Sequence, residues 1–277
     1  MNETVSRRDR RLMLKQSMAA VSRRGIDLRA AQSDQSWSVV AATRIMYDML
    51  RGHSPARASS AAKWAHDFFE VSLKHNPSRH QIECAKGCAF CCHVSVTALA
   101  PEIFLVASHI RQEYKNEADS ILERVRAADR NTRGLNSFER ATRRLPCGLL
   151  RDNCCTVYSA RPSACRGLTS TSVRICERGF NGEDVQVLTP EVWTILRSAH
   201  KQAMWAALEA AELPTDSYEL NQAICVALET PDAEKRWLLG EDVFAGVARQ
   251  SPANAAEAEH NKKIIEALVA GALGKEA

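Results

Sequence analysis

Apolar residues recur along most of this chain at spacings of three and four, the pattern of helices that bury one face. Trp37, Val40, Ile45, Tyr47 and Leu50 form one such stripe, opened by Ser33-Asp34 as a cap and closed by Gly52. Ser54-Pro55 starts a second helix, with Ala58, Ala62, Trp64, Ala65, Phe68, Phe69 and Leu73 inward and Pro77 as its stop. Pro101-Glu102 starts a third, through Phe104, Leu105, Ala107, Ile110 and Tyr114. Ile121, Leu122 and Val125 face inward from a helix over 117–129. After Thr189-Pro190-Glu191, helical spacing continues through Val192, Ile195, Leu196, His200, Met204, Leu208 and Ala211, as far as Pro214. Shorter helices are predicted over 217–228 and 232–239, and a last one from Ser251-Pro252 through Ile264, Ile265, Leu268 and Val269. There is no βαβ alternation and no internal repeat, so the expected class is mostly α.

Helical spacing fails in the middle of the chain. Segment 84–92 is short, irregular and dense in cysteine, and Lys86-Gly87 supplies the backbone freedom for a tight turn before Cys88. Segment 131–144 is polar and reads as a loop. It leads into a second cysteine-rich stretch over 147–165. Segment 167–184 reads as irregular, with room for a β-hairpin element. The expected organisation is a basic, partly disordered lead over 1–33, a helical domain over 34–185 built around the cysteine-rich core, and a C-terminal helical segment over 186–277 packed on it.

A length of 277 residues allows a sizeable hydrophobic core without cross-links. No stretch approaches the roughly 20 apolar residues that span a bilayer. The first thirty residues carry scattered charges and no apolar signal region. The expected location is therefore cytoplasmic, where thiols stay reduced and clustered cysteines serve metal or redox chemistry. A disulfide framework is the alternative to that view. Net charge is +4, and Arg7, Arg8, Arg10, Arg11, Lys15, Arg23, Arg24 and Arg29 concentrate it at the start. No aromatic residue interleaves these arginines to stack on bases, so they read as a solvated tail and nucleic acid is not an expected partner.

Nine of the ten cysteines lie between positions 84 and 176. Cys84-x3-Cys88-x2-Cys91 places three sulfurs on one compact turn, and Cys92 and His93 follow directly. Thiolates this close repel one another unless a cation sits among them. Sulfur ligands suit zinc or iron–sulfur clusters. Neighbouring side chains diverge, so Cys91 and Cys92 are expected to face different metals, or one of them the core. Cys154-Cys155 raises the same question. The clustered thiols are numerous enough for two four-ligand centres. Arg161 and Arg166 are candidates to balance the charge, Pro162 to stiffen the turn before Cys165, and Tyr158, Phe90 and Leu149 to shield the centre. Cys225, alone on an apolar helix face, reads as core.

Cys84-x3-Cys88-x2-Cys91-Cys92, then Cys147, then Cys155-x2-Tyr158-x2-Arg161-Pro162-x2-Cys165-Arg166, resembles the CxxCC family of YkgJ-type cysteine cluster proteins, described as zinc- or iron-chelating or as containing iron–sulfur clusters. The resemblance covers about residues 84 to 176. It implies metal binding at Cys84, Cys88, Cys91, Cys92, Cys147, Cys155 and Cys165, and Cys176 is similar to a further cysteine of some members. The family often has Cys-Pro where this chain reads Pro146-Cys147-Gly148, and Cys154 is an addition.

The expected function is thus a metal-binding protein holding an iron–sulfur cluster, or zinc or iron ions, for electron transfer, redox sensing or an unassigned oxidoreductive step. The alternative is a zinc-stapled helical module that binds a protein partner through its C-terminal helices. More remote is an enzyme akin to proteins with this cysteine pattern that are associated with lysine methylation; no methyl-donor site is legible. The Cys84-Cys88-Cys91 spacing also resembles the cluster-binding triplet of radical S-adenosylmethionine enzymes, but their repeated βα units are missing.

Overall fold

The computed structural model of the chain describes residues 35–74, 81–252 and 254–274, with the side chains of 35–38 outside that description. The basic lead over 1–33 and the Pro77 stop lie outside the described residues. The rest is mostly α, as its periodicity implies. Among the described residues no helix is long and apolar enough to cross a membrane.

Two long N-terminal helices, α1 (Gln35–Leu50) and α2 (Arg57–Lys74), precede the cysteines. Ser54 accepts the Ala56 amide at 3.2 Å and helps start α2. The buried face of α2 is mostly small: Ala58, Ala61, Ala62 and Ala65, with Phe69 and Leu73 toward its end. Such a face lets α3 (Ala100–Glu113) pack closely against it. Helix α4 (Ala118–Thr132) buries Ile121 and Val125.

The C-terminal third belongs to the same core. Helix α8 (Glu191–Ala210) packs on α1 and α2, α9 (Leu220–Glu229) on α3 and α4, and α11 (Ala255–Leu273) on α8 and α1. One continuous apolar cluster runs from Ala42 to Val247. At its centre Phe104 of α3 meets Phe244 at 5.4 Å and Trp237 of α10 (Ala233–Leu238) at 5.6 Å, while Tyr218 meets Phe244 at 4.6 Å. Each such buried side chain contributes about 1.5–3 kcal/mol. Two short strands tie the halves together. β1 (Thr97–Leu99) pairs antiparallel with β4 (Ser217–Glu219), with Ala98 opposite Tyr218.

The middle of the chain carries more regular structure than its composition suggests. Segment 131–144, expected as a loop, contains α5 (Ser137–Thr142). Asn136 accepts the Glu139 amide and Glu139 accepts the Asn136 amide, both at 2.9 Å, a reciprocal cap that offsets the poor apolar stripe. Segment 167–184, expected as irregular, contains α7 (Val173–Phe180), capped by Ser172 and carrying Cys176. The hairpin lies earlier: β2 (Leu150–Arg151) pairs with β3 (Cys154–Cys155). Asp152 and Asn153 turn it with φ of 52° and 56°, the left-handed pair that matches the twist of a two-residue hairpin. Residues 217–219, expected as helix, are strand because their backbone is taken by β1.

Candidate metal centre

The first cysteine segment is irregular because its backbone is bonded to other segments. Glu83 donates its amide to the Ser170 carbonyl at 3.0 Å, and the Ser170 amide returns a bond to Cys84 Sγ at 3.3 Å. Gly87, at φ +93°, makes the turn in which the Cys88 amide reaches the Ala85 carbonyl at 3.0 Å. A single 3-10 turn, Phe90–His93, then presents Cys91 and Cys92 side by side. Cys91 is exposed and Cys92 half-buried.

The second segment docks onto that turn through its backbone. The Cys147 amide donates to the Cys92 carbonyl at 2.8 Å. Gly148 follows because the chain here runs against α4: a Cβ on it would lie 2.5 Å from Val125 Cα. Asn221 of α9, fully buried, accepts the Gly148 amide at 3.1 Å, and its oxygen lies 3.7 Å from Cys147 Sγ. Cys155 packs on the apolar core with Cys147, and Cys154, its neighbour in β3, does not. Cys165 rides on the one-turn helix α6 (Ser163–Arg166).

Helix α7 brings Cys176. Its first amide, at Val173, donates to Glu83 Oε2 at 2.8 Å. Its last residue, Phe180, lies 5.5 Å from Phe90 and 4.8 Å from His93. His93 has Nδ1 3.1 Å from the Ala89 carbonyl, so that edge of the ring faces backbone. All ten cysteines are free thiols.

Electrostatics shows which thiols are neighbours. Burial raises Cys84, Cys88, Cys155 and Cys165, and pushes Cys147 up to about 11. Nearby thiols add to this. Cys84 and Cys88 both sense Cys91 and Cys176. Cys165 senses Cys147, Cys155 and Cys91. Cys91 and Cys92 shift each other in opposite directions: the pairing raises Cys92, with burial, Cys147 and Cys155 adding to it, and lowers Cys91.

Opposing this repulsion are groups aimed at sulfur. Backbone amides two residues onward face three thiols: Phe90 faces Cys88, Leu149 faces Cys147 and Val157 faces Cys155. Such bonds stabilise thiolate over thiol. Arg161 favours the ionised forms of Cys84, Cys91, Cys155 and Cys165. Its guanidinium lies 3.9 Å from the centroid of the exposed Tyr158 ring, and its buried Nε has no hydrogen-bond partner among the described residues. Arg166, the other arginine expected here, is directed elsewhere. It donates to Glu70 at 2.5 Å, to the Arg161 carbonyl at 3.0 Å and to the Ser159 carbonyl. It thereby shapes the loop that carries Arg161.

Among the described residues no three Cys, His, Asp or Glu side chains surround one point closely enough to hold a metal ion as they stand. The donor chemistry does fit one. Thiols gathered from distant segments, amides pointed at sulfur and a nearby arginine describe a site whose mutual thiolate repulsion a soft metal would relieve. Asn221, Ser170 and Glu83 support it from outside the sequence motif. No local signal in the sequence marks these three, since each acts through a contact made across the fold.

Residues 83–189 match a family model, CxxCxxCC, described as a "putative zinc- or iron-chelating domain". In this chain the first spacer holds three residues, Ala85, Lys86 and Gly87, with Gly87 at positive φ. Comparison with curated proteins and with solved structures gives no match.

Proposed function

We propose that the CxxCxxCC-type domain at residues 83–189 binds iron or zinc through its thiolates, in an iron–sulfur form that serves electron transfer or redox sensing in the cytoplasm. The observation that carries the reading is the meeting of thiols from 84–92 with thiols from 147–176, with backbone amides of Phe90, Leu149, Val157 and Ser170 turned toward sulfur. Amides facing thiolates raise the reduction potential of a cluster and hold its ligands in place. Cys84, Cys88, Cys91, Cys92, Cys147, Cys155, Cys165 and Cys176 would hold the metal. When bound, it would supply either a one-electron couple or a structural cross-link.

The cross-link defines the alternative, a zinc-stapled helical module for a protein partner. It is favoured by one specific feature. Cys147 and Cys155 pack on the helical core itself, so a metal there would fasten the site to the fold. Anaerobic purification with metal analysis, acid-labile sulfide assay and a visible spectrum separates the two. Brown protein containing iron and sulfide is expected. Colourless protein with stoichiometric zinc would establish the staple instead. Protein that takes up neither metal under reducing conditions would end the chelation reading.

A further inference from the structure

Segment 145–148, which carries Cys147, is anchored by residues outside the cysteine motif. The Leu145 amide donates to the carbonyl of Arg140, on α5, at 3.2 Å. The Gly148 amide donates to Asn221 Oδ1 at 3.1 Å, and the same oxygen lies 3.7 Å from Cys147 Sγ. Asn221 is itself oriented. Its Nδ2 donates to Glu219 Oε1 at 3.3 Å. That carboxylate oxygen also accepts Arg140 Nη1 at 3.0 Å, while Glu219 Oε2 accepts the Gln222 amide at 2.9 Å. The backbone of Glu219 is fixed in β4, opposite Thr97. Arg140 is 3% exposed and Asn221 is fully buried.

We propose that Arg140, Glu219 and Asn221 form a positioning relay for the metal centre, which holds Cys147 in place for a bound metal and makes the C-terminal segment part of that centre. This rests on the chelation reading above and adds residues that the matched domain does not contain, since Glu219 and Asn221 lie beyond its end at 189. An asparagine amide presents an acceptor at one end and donors at the other, and its neighbours decide which way it faces. The Glu219 carboxylate takes the NH2 end, so the oxygen is left for Gly148. Arg140 keeps that carboxylate in place. A buried ion pair gains little over apolar residues of similar volume, because desolvation of both charges offsets their attraction. Arg140 and Glu219 are therefore better accounted for by what they orient. Metal binding takes the proton from Cys147, and with it the contact between Sγ and Oδ1. The Gly148 amide bond does not need that proton, so the anchor persists in the loaded site. Gly148 already lies against α4, where a Cβ would come within 2.5 Å of Val125 Cα, which closes the other side of the segment.

The test loads the reduced, metal-free full chain with cobalt(II), or with iron and sulfide where cobalt is not taken up. Affinity is read by competition with a chelator. Thiolate-to-cobalt absorption per bound ion, or the midpoint potential of an iron–sulfur form, reports on the sulfur ligands. Asn221→Ala and Glu219→Gln should each bind metal about 10–100-fold more weakly. Absorption per bound cobalt should fall, or the potential shift, because one sulfur is no longer held. Glu219→Gln keeps the size of the side chain and decides the question if Asn221→Ala does not fold. Weaker binding with unchanged absorption per cobalt, or an unchanged potential, in step with a lower melting temperature of the metal-free chain, would show a structural role alone and overturn the proposal. Affinity equal to that of the unaltered chain in both variants would overturn it as well. An Arg140→Met chain that matches the unaltered one in every readout would remove Arg140 from the relay. No uptake of cobalt or iron by the unaltered chain overturns chelation itself.

Discussion

Glu102 Oε1 accepts the backbone amide of Ser163 at 2.7 Å, across 61 positions of sequence. The same carboxylate meets His66 Nε2 at 3.2 Å and accepts the Leu99 amide at 3.2 Å. It thus ties α3 and α2 to the first residue of α6, the turn that presents Cys165. Beside it lies a small cavity lined by His66, His200, Lys201 and Met204, among others. The carboxylate is 5% exposed, so its donors would be buried and unpaired without it. Glu102→Ala should cost about 3 kcal/mol or more of stability by denaturant titration. It should also weaken metal binding more than Glu102→Gln, which keeps an acceptor. Equal metal affinity in all three chains would show that the α6 turn is held by other contacts.

Glu102 also makes an acid-sensitive contribution. Burial alone would raise its pKa, but His66 and the Ser163 amide and hydroxyl outweigh burial and hold it at about 2, below the ordinary 4.5. A depressed carboxyl adds stability that is fully present above the ordinary value and is lost as pH falls from about 4.5 toward about 2. Unfolding curves collected over that range should show the chain losing stability more steeply than Glu102→Gln. Parallel acid limbs would contradict the assignment.

Gly148 tests the docking of the second cysteine segment. A methyl group there would meet Val125 Cα at 2.5 Å and the Arg124 carbonyl at 3.0 Å, both backbone of α4. Neither can rotate away. Gly148→Ala should therefore destabilise by about 1–3 kcal/mol. Because Cys147 is the adjacent residue, metal affinity should fall with it. A melting temperature equal to that of the unaltered chain would mean the loop is free to move off the helix.

Cys154 and Cys225 should behave differently from the cysteines proposed as ligands. Cys154→Ser should keep full metal occupancy, whereas Cys155→Ser should lose metal, although the two are neighbours in β3. Cys225 is 7% exposed in the apolar core of α9, and burial pushes its thiol up to about 12. Cys225→Ala should cost about 1 kcal/mol through lost packing, with metal content unchanged. Elemental analysis of the purified variants checks both.

Removing the metal should lower the melting temperature of the whole chain. The site joins segments 84–92 and 147–176, and Cys147 and Cys155 pack on the common core. Metal-binding energy there is folding energy. Scanning calorimetry before and after chelator treatment measures it. A single unchanged transition would place the metal on a segment independent of the core.

The sequence by itself determined the helices and the chemistry of the donors. Helical spacing of apolar residues is local, so α1 to α4 and α8 to α11 are legible from the order of residues alone, as is the density of cysteine between 84 and 176. Asn136 with Glu139, and Asp152 with Asn153, are local signals too, although the surrounding polar composition reads as loop. Other features became visible only in the folded chain. Residues 217–219 are strand because β1 occupies their backbone, and residues 173–180 form a helix whose first amide is taken by Glu83. The meeting of thiols from 84–92 with thiols from 147–176, and Asn221, Ser170 and Glu102 behind them, depend on contacts between residues far apart in the chain. Spacing along the sequence specifies which side chains a turn presents. Which of them meet is decided by the packing of helices that bury their apolar faces elsewhere.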